Sequence, residues 1–190
     1  MTKPAKITPM LQQYLEIKSR YQDAILFYRL GDFYEMFFDD AITASRVLGI
    51  TLTSRNHKDD DHKIPLCGVP YHAASGYLAK LVKAGYRVAI CEQVEDPSTA
   101  KGVVKREVVR MVTPGLATEE QLLEDKENRY IAAVSHTKGQ WGLSLLDLST
   151  GEFLAAERES TAAVVEELTR LAPSELLLAE GSEAAQQLPT

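Results

Sequence analysis

Between Thr8 and Thr113 the apolar pattern alternates between helical spacing and short β-like runs. A chain patterned this way buries its faces by laying helices on a sheet. Thr8-Pro9 predicts a helix start, with Thr at the N-cap and Pro at the first helical position. Met10, Leu11, Tyr14, Leu15 and Ile17 then form its apolar stripe. Ala24–Leu30, apolar and aromatic and closed by Gly31, reads as a buried strand. Asp32 is expected to open a helix running through Phe37, Ile42 and Val47–Leu48 and stopping at Gly49. Ile50–Thr53 is strand-like, and Asn56–Lys63 is a polar loop. Ile64–Tyr71 carries two prolines and a glycine, the marks of an edge strand or a rigid turn. Ser75–Gly85 predicts a helix with Tyr77, Leu78, Leu81 and Val82 inward. Tyr86–Cys91 and Val103–Thr113 predict strands, the second ended by Pro114-Gly115.

The pattern changes after that. Tyr130–Ser135, Trp141–Asp147 and Glu152–Ala156 read as three strands, joined through Lys138-Gly139 and Thr150-Gly151 as hairpin turns. A helix over Thr161–Leu171, then Pro173 and a strand over Glu175–Ala179, complete the series. The expected organisation is an α/β domain over residues 1–115, a linker over 116–129 and the beginning of a second α/β domain over 130–190. Roughly sixty residues is below the usual domain size, so the chain is expected to be a piece of a longer protein.

Apolar residues at 45% and charged residues at 25% allow a packed core. No apolar run approaches the 18 or so residues of a membrane span, and Met1–Met10 has no apolar signal core. Cys67 and Cys91 make no disulfide framework, so a cytoplasmic setting without a membrane partner is expected. The net charge of −6 conceals an asymmetry: residues 1–115 hold 16 Lys+Arg against 13 Asp+Glu, and residues 116–190 hold 5 against 14. A first half at +3 permits contact with a polyanion without demanding it.

The segment Arg29–Asp40, RLGDFYEMFFDD, raises the functional question. Asp32 followed three residues later by Glu35 has the form of a capping box, in which Phe33 simply packs on the sheet. An aromatic at the first position of a helix also points off the helix end, where a phenyl ring can wedge between base pairs. The unstacking cost is least at a mismatch. A carboxylate beside that ring is repelled by phosphates, so it penalises every duplex except one that opens to offer it a donor. The polyanion also favours the protonated acid, so Glu35 donating to a base acceptor stays open.

Three blocks decide between these accounts. TPMLQQYLEIKSRYQDAILFYRLGDFYEMFFDDA, GVPYHAASGYLAKLVKAGYRVAICEQVEDP and VVRMVTPG closely resemble the start of the MutS family of DNA mismatch repair proteins, most firmly over residues 8–115. By that resemblance the fold is a mixed-sheet α/β mismatch-binding domain followed by the beginning of a ribonuclease-H-like connector domain. The family's Phe-Xaa-Glu motif falls on Phe33-Tyr34-Glu35. Phe33 would then stack on a mispaired or unpaired base from the minor groove of a kinked duplex, Glu35 would hydrogen-bond that base, and Tyr34 would pack inward. The resemblance places Arg55 where the family approaches DNA. Arg106 and Arg110, set on one face of their strand by the period of two, are phosphate candidates, with solvated surface arginines as the other reading. Leu66, in the IPLCGVP turn, is a groove candidate, with a structural turn as the alternative.

The resemblance further implies a full-length ATPase using ATP and Mg, a homodimer applying one subunit's wedge per mismatch, and a MutL partner for the connector. This chain contains no G-x-x-x-x-G-K-[ST] loop, so no cofactor and no catalysis are expected of these residues. His57, His62, Cys67 and His72 recur every five residues beside Asp59-Asp60-Asp61, but that spacing fits neither a zinc knuckle nor a helical pair, and no metal is expected. Two rival classes remain. One is a small α/β enzyme using Glu35 with Asp39 or Asp40 as acid and base. The other is a protein-interaction module of a repair complex in which the aromatics are buried.

Overall fold

The computed structural model describes residues 7–55, 63–98, 100, 102–116 and 129–188. They fall into two compact units, Met1–Val112 and Thr113–Thr190.

In the first unit, Thr8 accepts from the Leu11 N–H at 3.4 Å and Pro9 begins helix α1 (Pro9–Lys18). Strand β1 (Ala24–Leu30) follows as its apolar run requires. Next come β2 (Phe33–Phe37), α2 (Phe38–Leu48), β3 (Thr53–Arg55) and β4 (Ile64–Pro70). A 3-10 turn at Tyr71–Ala73 leads into α3 (Ala74–Lys83), and β5 (Arg87–Gln93) and β6 (Arg106–Val112) close the unit. The sheet order is β3-β4-β2-β1-β5-β6. Only β1 and β5 run parallel, so the sheet is mixed. Ala24, Leu26, Tyr28, Phe37, Ala89 and Cys91 form one core with Leu11, Tyr14 and Ile17 of α1. The alternate residues Ile25 and Phe27 are buried on the other face. There α2 packs on β4 and α3 on β5, through Ala41, Ala44 and Leu48 and through Leu78, Leu81 and Val82.

The structure departs from the sequence-based expectation in three places. Residues 33–37 are a strand, and the helix starts only at Phe38. The capping box of Asp32 and Glu35 is therefore absent. Glu35 faces Tyr28 of β1 on one side and Gly68 of β4 on the other, so sheet pairing satisfies the backbone that a cap was expected to serve. Phe38, with φ +55, makes the switch from strand to helix. Secondly, the strand expected at Ile50–Thr53 lies at Thr53–Arg55. Thirdly, Ile64–Pro70 is neither an edge nor a turn but lies between β3 and β2. Its two partners overlap only at Leu66: β3 pairs with Ile64–Leu66 and β2 with Leu66–Pro70. Pro65 and Pro70 thus each have a strand on one side only, which is where proline is tolerated.

The second unit contains β7 (Tyr130–Thr137), β8 (Gln140–Asp147), β9 (Glu152–Arg158), α4 (Thr161–Leu171), β10 (Glu175–Leu178) and α5 (Glu183–Gln187). Lys138 and Gly139, at φ +53 and +80, make the left-handed two-residue turn between β7 and β8. The order is β10-β7-β8-β9, antiparallel except for β10, which lies parallel to β7. Trp141, Leu143 and Leu145 pack with Tyr130, Ala132, Val134 and Val164. The short helix α5 went unseen in the sequence because five residues carry no period; Ser182 caps it, accepting from the Ala185 N–H at 3.2 Å. The expected linker lies mostly outside the described residues. No helix among the described residues is long and apolar enough to cross a membrane.

Two carboxylates organise these units. Asp40 is 7% exposed and accepts from Lys18 Nζ at 2.9 Å, Tyr14 OH at 3.1 Å and Leu26 N–H at 3.0 Å. Asp40→Ala should destabilise the first unit by roughly 3–5 kcal/mol, because buried donors lose their acceptor. Asp39→Ala, at an exposed site, should stay within about 0.5 kcal/mol in the same denaturant titration. Asp147 holds the turn after β8, accepting from the Ser149 hydroxyl at 2.6 Å and from the N–H groups of Ser149 and Arg129 at 2.8 and 3.3 Å. The Ser149 hydroxyl is the main cause of its depressed carboxyl pKa, against the opposing effect of burial. A depressed native value stabilises the fold above the unfolded pKa and is lost as pH falls through the native one. Acid titration of the second unit should therefore show wild type losing its advantage over Asp147→Asn below about pH 4.

Candidate functional site

The loop between β1 and β2 is two residues long, since Leu30 pairs directly with Phe33. Gly31 supplies the left-handed position at φ +56. Both turn carbonyls are held: Arg29 Nε donates to Gly31 O at 2.5 Å, and the Tyr71 N–H donates to Asp32 O at 2.9 Å. Phe33 emerges from this tip 47% exposed, while Tyr34 is 7% exposed and Met36 and Phe37 are fully buried. The strand period turns Tyr34 and Met36 to the face opposite Phe33 and Glu35, whereas Phe37 shares the Phe33 face and is buried with the α1 side chains. Tyr34 packs inward as expected, its ring 5.6 Å from that of Phe27 and its hydroxyl donating to Glu92. Burial, aided by that carboxylate, pushes its phenol up to about 12.

Glu35 is half-buried. Across the pairing from it lies Gly68, where an added Cβ would come 3.3 Å from Tyr34 O and 3.6 Å from Glu35 Cγ. A strand glycine at such a position leaves room beside the neighbouring carboxylate, whose Oε2 is itself buried. Sequence reasoning passed over Gly68 in this role, although an interior strand glycine is itself the signal. Further along the same face, Tyr28 and Phe37 lie beneath α1, and Phe33 is not part of that covered cluster. Strand β2 therefore sets an exposed aromatic ring and a half-buried carboxyl group, two residues apart, on one face of the sheet.

The other candidates separate. Arg55 ends β3, and its side chain lies outside what the structure describes. Leu66 is in a strand and half-buried against the core under α1, on the face of Phe33 and Glu35 but deeper. Arg106 and Arg110 do not share a face, contrary to expectation. The pairing of β5 with β6 shifts register between Ile90 and Cys91, so that Arg110 faces Ile90 and Val108 faces Cys91. The extra residue, Val109, reverses the alternation. Arg110 is exposed, whereas Arg106 is 6% exposed. Arg106 donates to Arg29 O at 2.6 Å, Val104 O at 2.8 Å and Gln13 Oε1 at 3.2 Å, and its guanidinium lies 4.9 Å from the Tyr28 ring centre. Buried and bound to three acceptors, it braces the fold instead of standing at the surface for a phosphate.

Of the metal-like series, His57, His62 and Asp59–Asp61 lie outside the described residues. Cys67 is buried with its thiol against Ala41 O, and burial pushes it up to about 11; Cys91 rises to about 12 for the same reason. His72 is exposed beside Tyr71. Among the described residues no group of three or more His, Cys, Asp or Glu side chains is placed to hold a metal.

Comparison with known proteins gives two family matches, MutS domain I over residues 8–121 and MutS domain II over residues 129–189. The chain is 58% identical over 188 residues to the DNA mismatch repair protein MutS of Syntrophobacter fumaroxidans, covering 97% of this chain and 21% of that protein. It is 55% identical over 175 residues to the protein of the same name from Alkaliphilus oremlandii, covering 90% and 20%. For the Myxococcus xanthus protein of that name the identity is 50% over 184 residues, covering 97% and 20%. The chain thus spans about a fifth of the length of these curated relatives.

Exposure separates the two aromatics that bound β2. Phe37→Ala should cost roughly 3–5 kcal/mol, the price of an emptied core site. Phe33→Ala should change stability by less than about 1 kcal/mol, as a half-exposed side chain does. Thermal melting of both variants checks the contrast, and equal losses would mean that Phe33 is a core residue.

Proposed function

The chain belongs to the MutS family, carrying its domains I and II, and from that premise we propose that its first domain reads mismatched or unpaired bases in duplex DNA through Phe33 and Glu35. The observation that carries this reading is the placement of an exposed Phe33 at a braced hairpin tip, with Glu35 on the same face. A ring held there enters a base step from the minor groove, and the few kcal/mol of unstacking it must overcome are smallest where pairing is already broken. Glu35 then hydrogen-bonds the displaced base. In a matched duplex its carboxylate meets only phosphate repulsion, so the pair of residues contributes discrimination rather than affinity. Affinity comes from the backbone, with Arg110 and Arg55 as phosphate contacts. Leu66, packed against the core behind Glu35, supports the groove face.

The same reading extends to the whole protein. ATP with Mg, bound outside these residues, converts recognition into a signal; a homodimer applies one wedge per lesion; and domain II offers its acidic surface to MutL. The setting is the cytoplasm. The rival readings find less support. An interaction module with buried aromatics conflicts with the exposure of Phe33. An acid–base pair made of Glu35 with Asp40 conflicts with the three donors that occupy Asp40.

A photoactivatable thymine analogue placed at a G·T mismatch, or as an unpaired base, tests the proposal at low salt. Irradiation with this protein should crosslink Phe33, and the same analogue in a perfect duplex should not. Raising the salt should weaken capture of both duplexes steeply, since phosphate contacts supply the affinity. Equal crosslinking of the two duplexes at low salt would overturn the wedge.

A further inference from the structure

Resting on that reading of Phe33, we propose that Arg29 is the residue that positions the wedge, by locking the two-residue turn from the face opposite to it. Arg29 pairs with Tyr34 across β1 and β2, so its side chain leaves the sheet on the side away from Phe33 and Glu35. Its guanidinium carbon stands 3.8 Å from the Tyr71 ring centre and 5.6 Å from that of Tyr34. Its Nη1 is 3.9 Å from Glu92 Oε2, and Glu92 also accepts from the Tyr34 hydroxyl. The remaining direction, along Nε, is used on Gly31 O at 2.5 Å. Four groups therefore fix one planar cation, and that cation fixes the first turn carbonyl.

The second turn carbonyl, Asp32 O, is held by the Tyr71 backbone N–H at 2.9 Å, so the residue beneath the guanidinium also grips the turn. The Arg29 carbonyl is in turn fixed by Arg106 Nε at 2.6 Å. Phe33 is the next residue after this doubly held turn. A wedge that must unstack a base step gains from rigidity: a ring already held in its working direction loses little freedom when it inserts. Only arginine can do this here. Lysine carries the charge but lacks both the flat face that stacks on Tyr71 and the Nε–H that reaches Gly31.

The experiment compares wild type, Arg29→Lys, Tyr71→Leu and Phe33→Ala in the full 190-residue chain. Two quantities are read: the ratio of mismatched to perfect-duplex crosslinking with the thymine analogue, and hydrogen exchange at the Phe33 amide by NMR. The Leu26 amide, held by Asp40 in the same unit, is the exchange control. Arg29→Lys should lower the crosslinking ratio about tenfold, the scale of a lost cation–π contact. Exchange at Phe33 should quicken while Leu26 is unchanged. Tyr71→Leu removes the ring at a site 45% exposed, without touching the Arg29 bonds to Glu92 and Gly31. It should move both readouts in the same direction and keeps the proposal testable if Arg29→Lys does not fold. Retention of the wild-type ratio in both variants, with Phe33→Ala abolishing it, would overturn the role of Arg29 and leave the wedge standing. An equal drop in capture of both duplexes with the ratio unchanged would make Arg29 a phosphate contact and overturn the proposal. A wild-type chain with no preference for the mismatch would overturn the wedge, and the positioning role with it.

Discussion

One buried carboxylate ties the first domain together. Asp40 draws donors from α1 through Tyr14 and Lys18, and from β1 through the Leu26 N–H, while sitting in the first turn of α2. A carboxylate is tolerated at that depth only because each bond brings a donor, one of them cationic. The Leu26 N–H needs such a partner because β2 pairs with β1 only over Phe33–Glu35. Asp40 thus stands where a longer β2 would have continued. The left-handed turn at Phe38 takes the chain from sheet into helix at that end. The other end of the short strand is the open tip at Phe33.

The two faces of the sheet are then built differently. Beneath α1 the aromatic side chains of Tyr14, Tyr28 and Phe37 meet edge to face, with ring centres 4.9 to 5.4 Å apart. That core continues toward the tip and stops before Phe33. Behind the tip, on the other face, Arg29, Tyr34, Tyr71 and Glu92 form a polar and aromatic brace that the core does not supply. The exposed Phe33 ring is thus supported from the opposite face of the sheet.

The second unit follows more directly from local chemistry. Its turns are fixed by Lys138-Gly139 and by Asp147, whose carboxylate gathers the backbone of the turn after β8. Its buried residues alternate strictly along β8, Trp141, Leu143 and Leu145 on one face. Gly115 lies so close to Ile131 that an added Cβ would stand 2.4 Å from its Cγ1, which explains a glycine where the second unit begins.

The sequence by itself determined the elements whose signals are local. These are the capped start of α1, the bounds of β1 and α4, the hairpins of the second unit, the inward face of α3 and the blocks that carry the family likeness. Tertiary structure decided the rest. Asp32 and Glu35 spell a helix cap in any local reading, and only pairing with β1 and β4 on both sides makes those residues a strand. That pairing, not a helix end, puts Phe33 and Glu35 on one face. Likewise a period of two sets Arg106 beside Arg110 until the extra residue at Val109, visible only in the register with β5, turns one inward and leaves the other exposed. Nothing local links Arg29 to Tyr71 or Tyr34 to Glu92, because those contacts exist only once distant strands are neighbours. Periodicity and capping are read within a few residues, whereas strand partners, register and face are set by segments far along the chain.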